Sequence, residues 1–193
     1  MKKIGLTGGI GAGKTTVLKM FEALGAAVYI ADQEAKRIMT ENLLVVDKIK
    51  KLIGKSAYHN GQLNREYIAQ EVFNNPDKLK DLNAIVHPAV RADFLEFCEQ
   101  QDTDYIVYES ALLLESSSTD FWDCIVLVTA PKEVRIDRVK NRSQMTTAQI
   151  EARIKNQLSD EASKEKASVV IENVVIEETE LSVYELHKQF SAS

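Results

Sequence analysis

The feature that most constrains the fold is the run Gly8-Gly9-Ile10-Gly11-Ala12-Gly13-Lys14-Thr15, which matches the pattern G-x-x-x-x-G-K-[ST] in full. An apolar stretch at residues 2–7 precedes it, and residues 15–24 follow with apolar side chains at helical spacing. A strand, a glycine-rich turn and an amphipathic helix in this order predict a phosphate-binding loop, or P-loop. Backbone N–H groups of such a loop face inward and, together with the helix N-terminus, wrap an anion.

Lys14 is expected to reach the β- and γ-phosphates of a nucleotide, and the hydroxyl of Thr15 is expected to bind Mg²⁺. A glycine turn that matches by accident is the alternative, with a chance of roughly one in a hundred for a chain of this length. The predicted nucleotide-binding residues of the loop are Gly9, Ile10, Gly11, Ala12, Gly13, Lys14, Thr15 and Thr16.

Five short runs of β-branched and aromatic residues predict the strands of a parallel sheet, at residues 2–7, 26–30, 105–108, 124–128 and 168–171. The P-loop would follow the central strand, with helices on both faces of the sheet. More than 60 residues of helical pattern separate the second and third strands. We therefore expect one α/β unit with a core at residues 1–32, 103–131 and 166–193, a helical acceptor-binding insertion at about 33–102 and a lid at about 132–165.

The composition excludes several other classes of protein. The chain of 193 residues is 45% hydrophobic and 27% charged, which excludes disorder, collagen and coiled coil. Its net charge of −5 argues against a protein that coats nucleic acid. Apolar runs are far shorter than the roughly 20 residues of a membrane helix, and no export signal opens the sequence, so we expect a cytoplasmic protein. Cys98 and Cys124 lack metal-site spacing and are expected to be buried thiols.

A P-loop alone does not separate GTPases, motor ATPases and small kinases. No N-K-x-D segment, the guanine-reading motif of GTPases, occurs in the chain, and large ATPases need more residues. A basic segment near residues 131–157 suits the closing lid of a small-molecule kinase, which must exclude water so that the phosphoryl group is transferred and not hydrolysed.

Two carboxylates follow predicted strands at the carboxyl edge of the sheet, where ligands bind in open α/β folds. Asp32, after the second strand, can orient an acceptor hydroxyl and take its proton late in the transition state, but it equally fits a helix N-cap. Glu109 ends the third strand and is expected to hold Mg²⁺ through water, with a solvated strand-end glutamate as the alternative. Glu115 fits either a buried partner or a surface residue.

Arg135, Arg138 and Arg142 recur at spacings of three and four and should share one helix face. Anionic phosphates explain this gathering for Arg138 and Arg142 better than solvation does, because guanidinium matches phosphate oxygens; ordinary surface charge is the alternative. His87 precedes Pro88, which predicts a helix boundary there, and a structural cap fits that histidine as well. The other two histidines, His59 and His187, are expected to lie on the surface.

The opening Leu6-Thr7-Gly8-Gly9-Ile10-Gly11-Ala12-Gly13-Lys14-Thr15-Thr16-Val17 resembles that of the dephospho-CoA kinase family. Further similarities follow in chain order and extend the resemblance over residues 4 to 173. They are Ala31-Asp32, His87-Pro88 with Arg91, Leu112-Leu113-Leu114-Glu115, Arg138 with Arg142, Arg153 with Gln157, and Ile171-Glu172-Asn173.

The resemblance implies ATP-dependent phosphorylation of the ribose 3′-hydroxyl of dephospho-CoA, the last step of coenzyme A synthesis. It implies a nucleotide-kinase-like P-loop core, a helical region that binds the acceptor, and a lid. The catalytic residues implied are Asp32 as proton acceptor, Lys14, and Arg142 over the ATP phosphates. Asn173 is implied to lie near the adenine of ATP. The residues implied for the acceptor side are Thr7, Asp32, His87, Arg91, Leu112 and Glu115.

The sequence departs from the family pattern at Ile30 and Ser143, where the family often has Asp, and at Ala111, where it commonly has Pro. A kinase for a nucleoside monophosphate or another small metabolite is the nearest alternative function. A nucleotide-dependent switch and a nucleic-acid-binding protein are more distant ones. The expected partners are ATP and dephospho-CoA, with no nucleic acid and no membrane, in a monomer or small homo-oligomer.

Overall fold

The computed structural model describes residues 1–73, 75–115 and 119–192. It divides into two compact units, one formed by residues 1–30 and 102–193 and the other by residues 31–101. The elements of the first unit before the division are β1 (Lys2–Thr7), α1 (Lys14–Ala23) and β2 (Ala27–Ile30). Those of the second unit are α2 (Ala31–Glu41), α3 (Leu43–Ile53), β3 (Tyr58–His59), β4 (Gln62–Leu63), α4 (Arg65–Phe73) and α5 (Pro76–Glu99). The chain then returns to the first unit with β5 (Tyr105–Glu109), β6 (Cys124–Thr129), α6 (Lys132–Arg142), α7 (Thr147–Lys155), α8 (Asp160–Lys166), β7 (Val169–Glu172) and α9 (Ile176–Ser191).

The first unit contains a five-stranded parallel sheet with the order β2-β5-β1-β6-β7. Strand β1 is the middle strand, so the loop that follows it opens at the centre of the carboxyl edge. The predicted parallel sheet with the P-loop on its central strand is confirmed. The predicted strand boundaries are within one residue of those observed.

Alternating side chains of the strands build two apolar layers, as expected for a sheet covered on both faces. On one face Ile4, Leu6, Val107 and Val126 pack in one buried cluster with residues of α1 and α9, among them Val17, Phe21, Val183 and Phe190. On the other face Ile125 and Leu127 pack against Leu113 and Leu114. These layers fix β1 and α1, the two elements that the P-loop connects.

The second unit is a helical assembly whose longest element is α5. The buried residues of α5 recur every fourth position, at Leu82, Val86, Val90, Phe94 and Cys98, and form one continuous stripe. The helix begins after Asn75, whose side chain accepts a hydrogen bond from the Lys78 N–H at 3.0 Å. The helix start predicted at Asn75-Pro76-Asp77 is therefore confirmed.

The helix boundary predicted at His87 is wrong, because α5 continues through Pro88 to Glu99. Proline removes one backbone donor and disfavours helical geometry in the residue before it. The apolar stripe on both sides of Pro88 is long enough to outweigh that local preference.

Asn60 and Gly61 form the turn between β3 and β4, with φ of 48° and 77°. Positive φ at both central positions is the requirement of a type I′ hairpin turn, which Asn-Gly satisfies well.

In the described residues no helix is both long enough and apolar enough to cross a membrane. Both cysteines are free thiols; Cys98 is buried and Cys124 half-buried.

Candidate active site

The loop between β1 and α1 has the backbone geometry of an anion cradle. Gly11 and Gly13 adopt φ of 80° and 97°, a left-handed conformation that other residues rarely accept. Gly13 is the N-cap of α1, which begins at Lys14, so the first N–H groups of the helix point into the loop. Thr15 and Thr16 are exposed in this first turn. The loop can therefore hold phosphate oxygens through its amides.

Lys14 lies across the loop and beside Glu109. Its Nζ donates a hydrogen bond to the Gly8 carbonyl at 2.8 Å and is 3.9 Å from Oε1 of Glu109. Glu109 is the last residue of β5 and pairs in register with Leu6 of the neighbouring β1. The sheet thus brings together a cation and a carboxylate that the sequence places 95 residues apart.

Asn173 supports the loop through a hydrogen bond to its backbone. It is 3% exposed, and its Nδ2 donates to the Ala12 carbonyl at 2.9 Å while its Oδ1 accepts from the Thr179 hydroxyl at 3.2 Å. Arg138 Nη1 also donates to the Ala12 carbonyl, at 3.3 Å. Both residues were predicted to bind the nucleotide, and the structure places them on the backbone of the loop that would bind it. A direct contact of Asn173 with adenine stays a prediction.

Gln157 also contacts the loop, although no role is predicted for it from the sequence. Its Oε1 accepts a hydrogen bond from the Ile10 N–H at 2.9 Å. The residue lies between α7 and α8, within the stretch predicted to be a lid. Nothing in the spacing of a single glutamine indicates a partner 147 residues away.

The three arginines of α6 occupy three different environments. Arg135 is buried against the loop, Arg138 is half-buried on the Ala12 carbonyl, and Arg142, the last residue of the helix, is exposed. Within the described part of the chain Arg142 forms no ion pair. Because α6 spans all three positions, the arginines lie on one side of the helix as predicted, but the side chain of Arg135 is covered by the P-loop.

A depression beside the loop collects residues from three parts of the sheet unit. It is lined by residues that include Thr7, Gly9, Glu115, Gln157 and Asp160. Thr7 ends β1 and is buried, whereas Glu115 is exposed. Leu112, the neighbouring residue predicted for the acceptor side, is 52% exposed. An anion on the loop would thus have polar side chains beside it.

Asp32 belongs to the second unit, where it is the second residue of α2 and is exposed. The helix begins at Ala31, so Asp32 lies within the first turn and is not the N-cap that the sequence allowed. Arg37 links this helix to α5, because its Nη2 lies 2.5 Å from Asp93 Oδ1. Its Nε lies 2.5 Å from Oε2 of Glu34 within α2. Hydrogen bonds to these two carboxylates raise the pKa of Arg37 above its usual range.

His87 and Arg91 also belong to the second unit and lie on α5 four residues apart, so they share one side of the helix. Both are exposed.

His59 is exposed as predicted, but His187 is half-buried, with Nδ1 at 2.9 Å from the Tyr105 hydroxyl. The surface position predicted for His187 is therefore only partly right, since α9 packs that side chain against β5.

The oxygen donors near the loop are of the kind that Mg²⁺ prefers, namely the Thr15 hydroxyl and the Glu109 carboxylate. Among the described residues no cluster of three or more His, Cys, Asp or Glu could hold a metal ion. Mg²⁺ in phosphoryl-transfer sites is bound by one or two protein oxygens together with substrate phosphates. A hydroxyl and one carboxylate beside a phosphate loop fit that arrangement.

Comparison with known proteins places this geometry in one family. The profile of the family CoaE, described as dephospho-CoA kinase, matches residues 2–178. A dephospho-CoA kinase from Bacteroides fragilis is 39% identical over 172 residues, covering 89% of this chain and 84% of the relative. One from Salinibacter ruber is 42% identical over 178 residues, covering 90% and 89%.

Among solved structures, the crystal structure of TT1252 from Thermus thermophilus superposes with a TM-score of 0.90 at 30% identity, covering 100% of this chain and 98% of that one. The family profile spans β1 to the first turn of α9 and includes the loop, Lys14, Glu109 and Asn173. With a matching profile over this length, and relatives of that identity and coverage, the chain belongs to the dephospho-CoA kinase family.

Proposed function

We propose that this protein transfers the γ-phosphoryl group of ATP to the ribose 3′-hydroxyl of dephospho-CoA, giving coenzyme A and ADP. The observation that carries the proposal is the family match over residues 2–178, in a chain whose residues 8–15 form an anion cradle on the central strand. The fold alone would serve many acceptors, because P-loop kinases share it.

In this proposal the loop amides of residues 9–16 bind the phosphates of ATP, and the Lys14 ammonium neutralises charge on the transferred group. Arg138 already contacts the loop backbone through Nη1, and its guanidinium is proposed to donate to a phosphate as well. Arg142 stands at the exposed end of α6, beyond the loop contacts of Arg135 and Arg138, and would approach the phosphates when that end of the proposed lid closes. Closure excludes water, so that transfer outcompetes hydrolysis.

The acceptor is proposed to bind through the residues that the family resemblance assigns to it. Asp32 would accept a hydrogen bond from the 3′-hydroxyl, orient its oxygen toward the γ-phosphorus and take the proton late in the transfer. His87 and Arg91 offer donors for the diphosphate of the acceptor. Thr7, Leu112 and Glu115 are also proposed to contact the acceptor.

Mg²⁺ would supply charge neutralisation between the phosphates, held on the protein side by the Thr15 hydroxyl and by Glu109 through water. The Lys14 ammonium lies 3.9 Å from Glu109, so the carboxylate also orients that lysine. Because the sequence contains neither a long apolar run nor an export signal, we propose that the enzyme acts in the cytoplasm.

The test is ADP release by the purified protein with Mg²⁺ and ATP, measured with dephospho-CoA, with a panel of nucleoside monophosphates, and with no acceptor. Fast release with dephospho-CoA alone is expected. Faster release with a monophosphate would move the enzyme to the nucleotide kinases. Slow release independent of any acceptor would indicate a nucleotide-dependent switch.

A further inference from the structure

Arg135 is a buried cation in direct contact with the P-loop. The residue is 4% exposed, although α6 is otherwise strongly polar. A Cβ atom added to Gly9 would lie 2.5 Å from Arg135 Nη1, and one added to Gly11 would lie 2.5 Å from the Arg135 carbonyl oxygen. The guanidinium and the backbone of this residue therefore cover the loop from position 9 to position 11.

The charge of Arg135 is only partly compensated. Nη1 donates to Asp160 Oδ1 at 3.0 Å, but that carboxylate is 44% exposed while the arginine side chain is 5% exposed. The buried Nε has no hydrogen-bond partner among the described residues. A buried guanidinium whose single carboxylate partner is solvated is only partly neutralised. Its positive electrostatic potential therefore extends to the adjacent loop with little screening by water.

Asp160, the partner of Arg135, belongs to a segment that also contacts the loop directly. Asp160 opens α8, and Gln157, three residues earlier, binds the Ile10 N–H. Both side chains line the depression beside Gly9. Residues 157–160 thus touch the loop once through a neutral hydrogen bond and once through the ion pair of Arg135.

We propose that Arg135 is an electrostatic positioning residue of the phosphate site, which acts through the loop, and that Asp160 sets how much of its charge reaches the bound phosphates. This inference rests on the proposed nucleotide site. Arg135 holds Gly9 and Gly11 in place and adds positive potential to their amides, so nucleotide affinity depends on its charge. Asp160 opposes that potential because it carries the only carboxylate that pairs with Arg135 in the described residues.

The direction in which the Kd for Mg-ATP changes in two variants distinguishes this role from a purely structural one. Arg135→Gln removes the charge and should raise the Kd for Mg-ATP about tenfold, with a smaller increase for Mg-ADP, whose net charge is less negative. Asp160→Asn leaves the arginine uncompensated and should leave the Kd for Mg-ATP unchanged or lower it about two- to threefold. If the pair served only as a brace, both substitutions would weaken binding alike.

The experiment is calorimetric titration of the full-length protein with Mg-ATP and with Mg-ADP at fixed ionic strength, with thermal unfolding of each variant as the folding check. Glu151→Gln is the matched control, since it removes an equal charge from the exposed Lys132–Glu151 pair of α6 and α7 and should leave the Kd unchanged. If Arg135→Gln does not fold, Arg135→Lys, which retains the charge, and Asp160→Asn still carry the test. The expected Kd for Arg135→Lys is within about threefold of wild type.

Equal weakening by Arg135→Gln and Asp160→Asn would overturn the inference, as would wild-type affinity in Arg135→Gln. Equal loss of ATP and ADP binding in Arg135→Gln would do the same. A wild-type protein that bound no ATP would instead contradict the proposed nucleotide site.

Discussion

Gly13 is constrained by its backbone and by its surroundings at the same time. Its φ of 97° is left-handed, and a Cβ atom there would lie 2.0 Å from Nδ2 of Asn173. Gly25, just after α1, has nearly the same φ of 96°, but a Cβ atom there would meet nothing within 4 Å. Substitution of these two glycines therefore distinguishes the cost of left-handed geometry from the cost of displacing Asn173 from the Ala12 carbonyl.

Gly25→Ala should lower the free energy of unfolding by about 1–2 kcal/mol, the cost of a left-handed alanine, and leave ATP affinity within about twofold. Gly13→Ala should cost more stability and weaken ATP binding at least about tenfold, because Asn173 must leave the Ala12 carbonyl. Chemical denaturation and ATP titration measure both quantities. Equal effects of the two substitutions on ATP binding would show that the brace has no part in shaping the loop.

Asp32→Asn tests the proposed proton acceptor. The amide keeps the shape of the side chain but cannot take the proton, so kcat should fall by roughly 10²- to 10⁴-fold with the KM for ATP nearly unchanged. Glu34→Gln, in the same turn of α2, is the control and should change kcat little. A variant that lost stability while keeping its kcat would assign Asp32 to the helix and not to the reaction.

At the scale of elements, the strands and the P-loop could be predicted because each is a local pattern. Residues 2–17 contain the apolar run, the glycines and the helical spacing in one stretch. The burial of Arg135 and the contact of Gln157 with Ile10 could not be predicted, because they depend on α6 and the α7–α8 connection packing on a loop more than 100 residues earlier in the chain. A charged residue at helical spacing is normally assigned to the surface.

The continuous helix α5 leads to a prediction at the same scale. Pro88 removes the hydrogen bond that its N–H would donate to the carbonyl four residues earlier. Pro88→Ala restores that donor and should raise the free energy of unfolding by about 1–2 kcal/mol, part of the helical gain being offset by a more flexible unfolded chain. Ala92→Gly in the same helix is the control and should lower stability by about 1 kcal/mol. A loss of stability in Pro88→Ala would show that the proline stabilises a bend.

At the scale of the whole molecule, the sheet unit is assembled from both ends of the chain. Lys2 in β1 donates to the carbonyls of Gln189, Phe190 and Ala192 at the end of α9, at 3.1, 3.1 and 2.7 Å. The Tyr105 hydroxyl in β5 lies 2.9 Å from Nδ1 of His187 in α9. The last helix is thus fixed to the sheet by polar contacts as well as by its apolar face.

Stability at high pH depends on two tyrosines, Tyr105 in this region and Tyr58 in β3 of the other unit. Burial raises the pKa of Tyr105 to about 12, with a further contribution from Asp104, and burial likewise raises the pKa of Tyr58 to about 12. The unfolded chain has the ordinary tyrosine pKa of about 10, so the folded state favours the protonated phenols. Their contribution is therefore complete below pH about 10 and is lost as the pH rises from about 10 to about 12.

Denaturant unfolding at several pH values should show this decline, and Tyr105→Phe should make it less steep. Absorbance titration of the folded protein supplies the control, because the phenols of Tyr58 and Tyr105 should ionise near pH 12. A decline of the same steepness in the variant would mean that Tyr105 is not the group responsible.

The central claim, that this chain phosphorylates the 3′-hydroxyl of dephospho-CoA, is tested most directly by a competition in one reaction. Purified protein, Mg²⁺ and a limiting amount of γ-labelled ATP are mixed with equal concentrations of dephospho-CoA and a set of nucleoside monophosphates, and the labelled products are separated and identified. We expect the label in coenzyme A, as a 3′-phosphomonoester that ³¹P spectra distinguish from other positions. Label in a nucleoside diphosphate, or only in free phosphate, would contradict the claim.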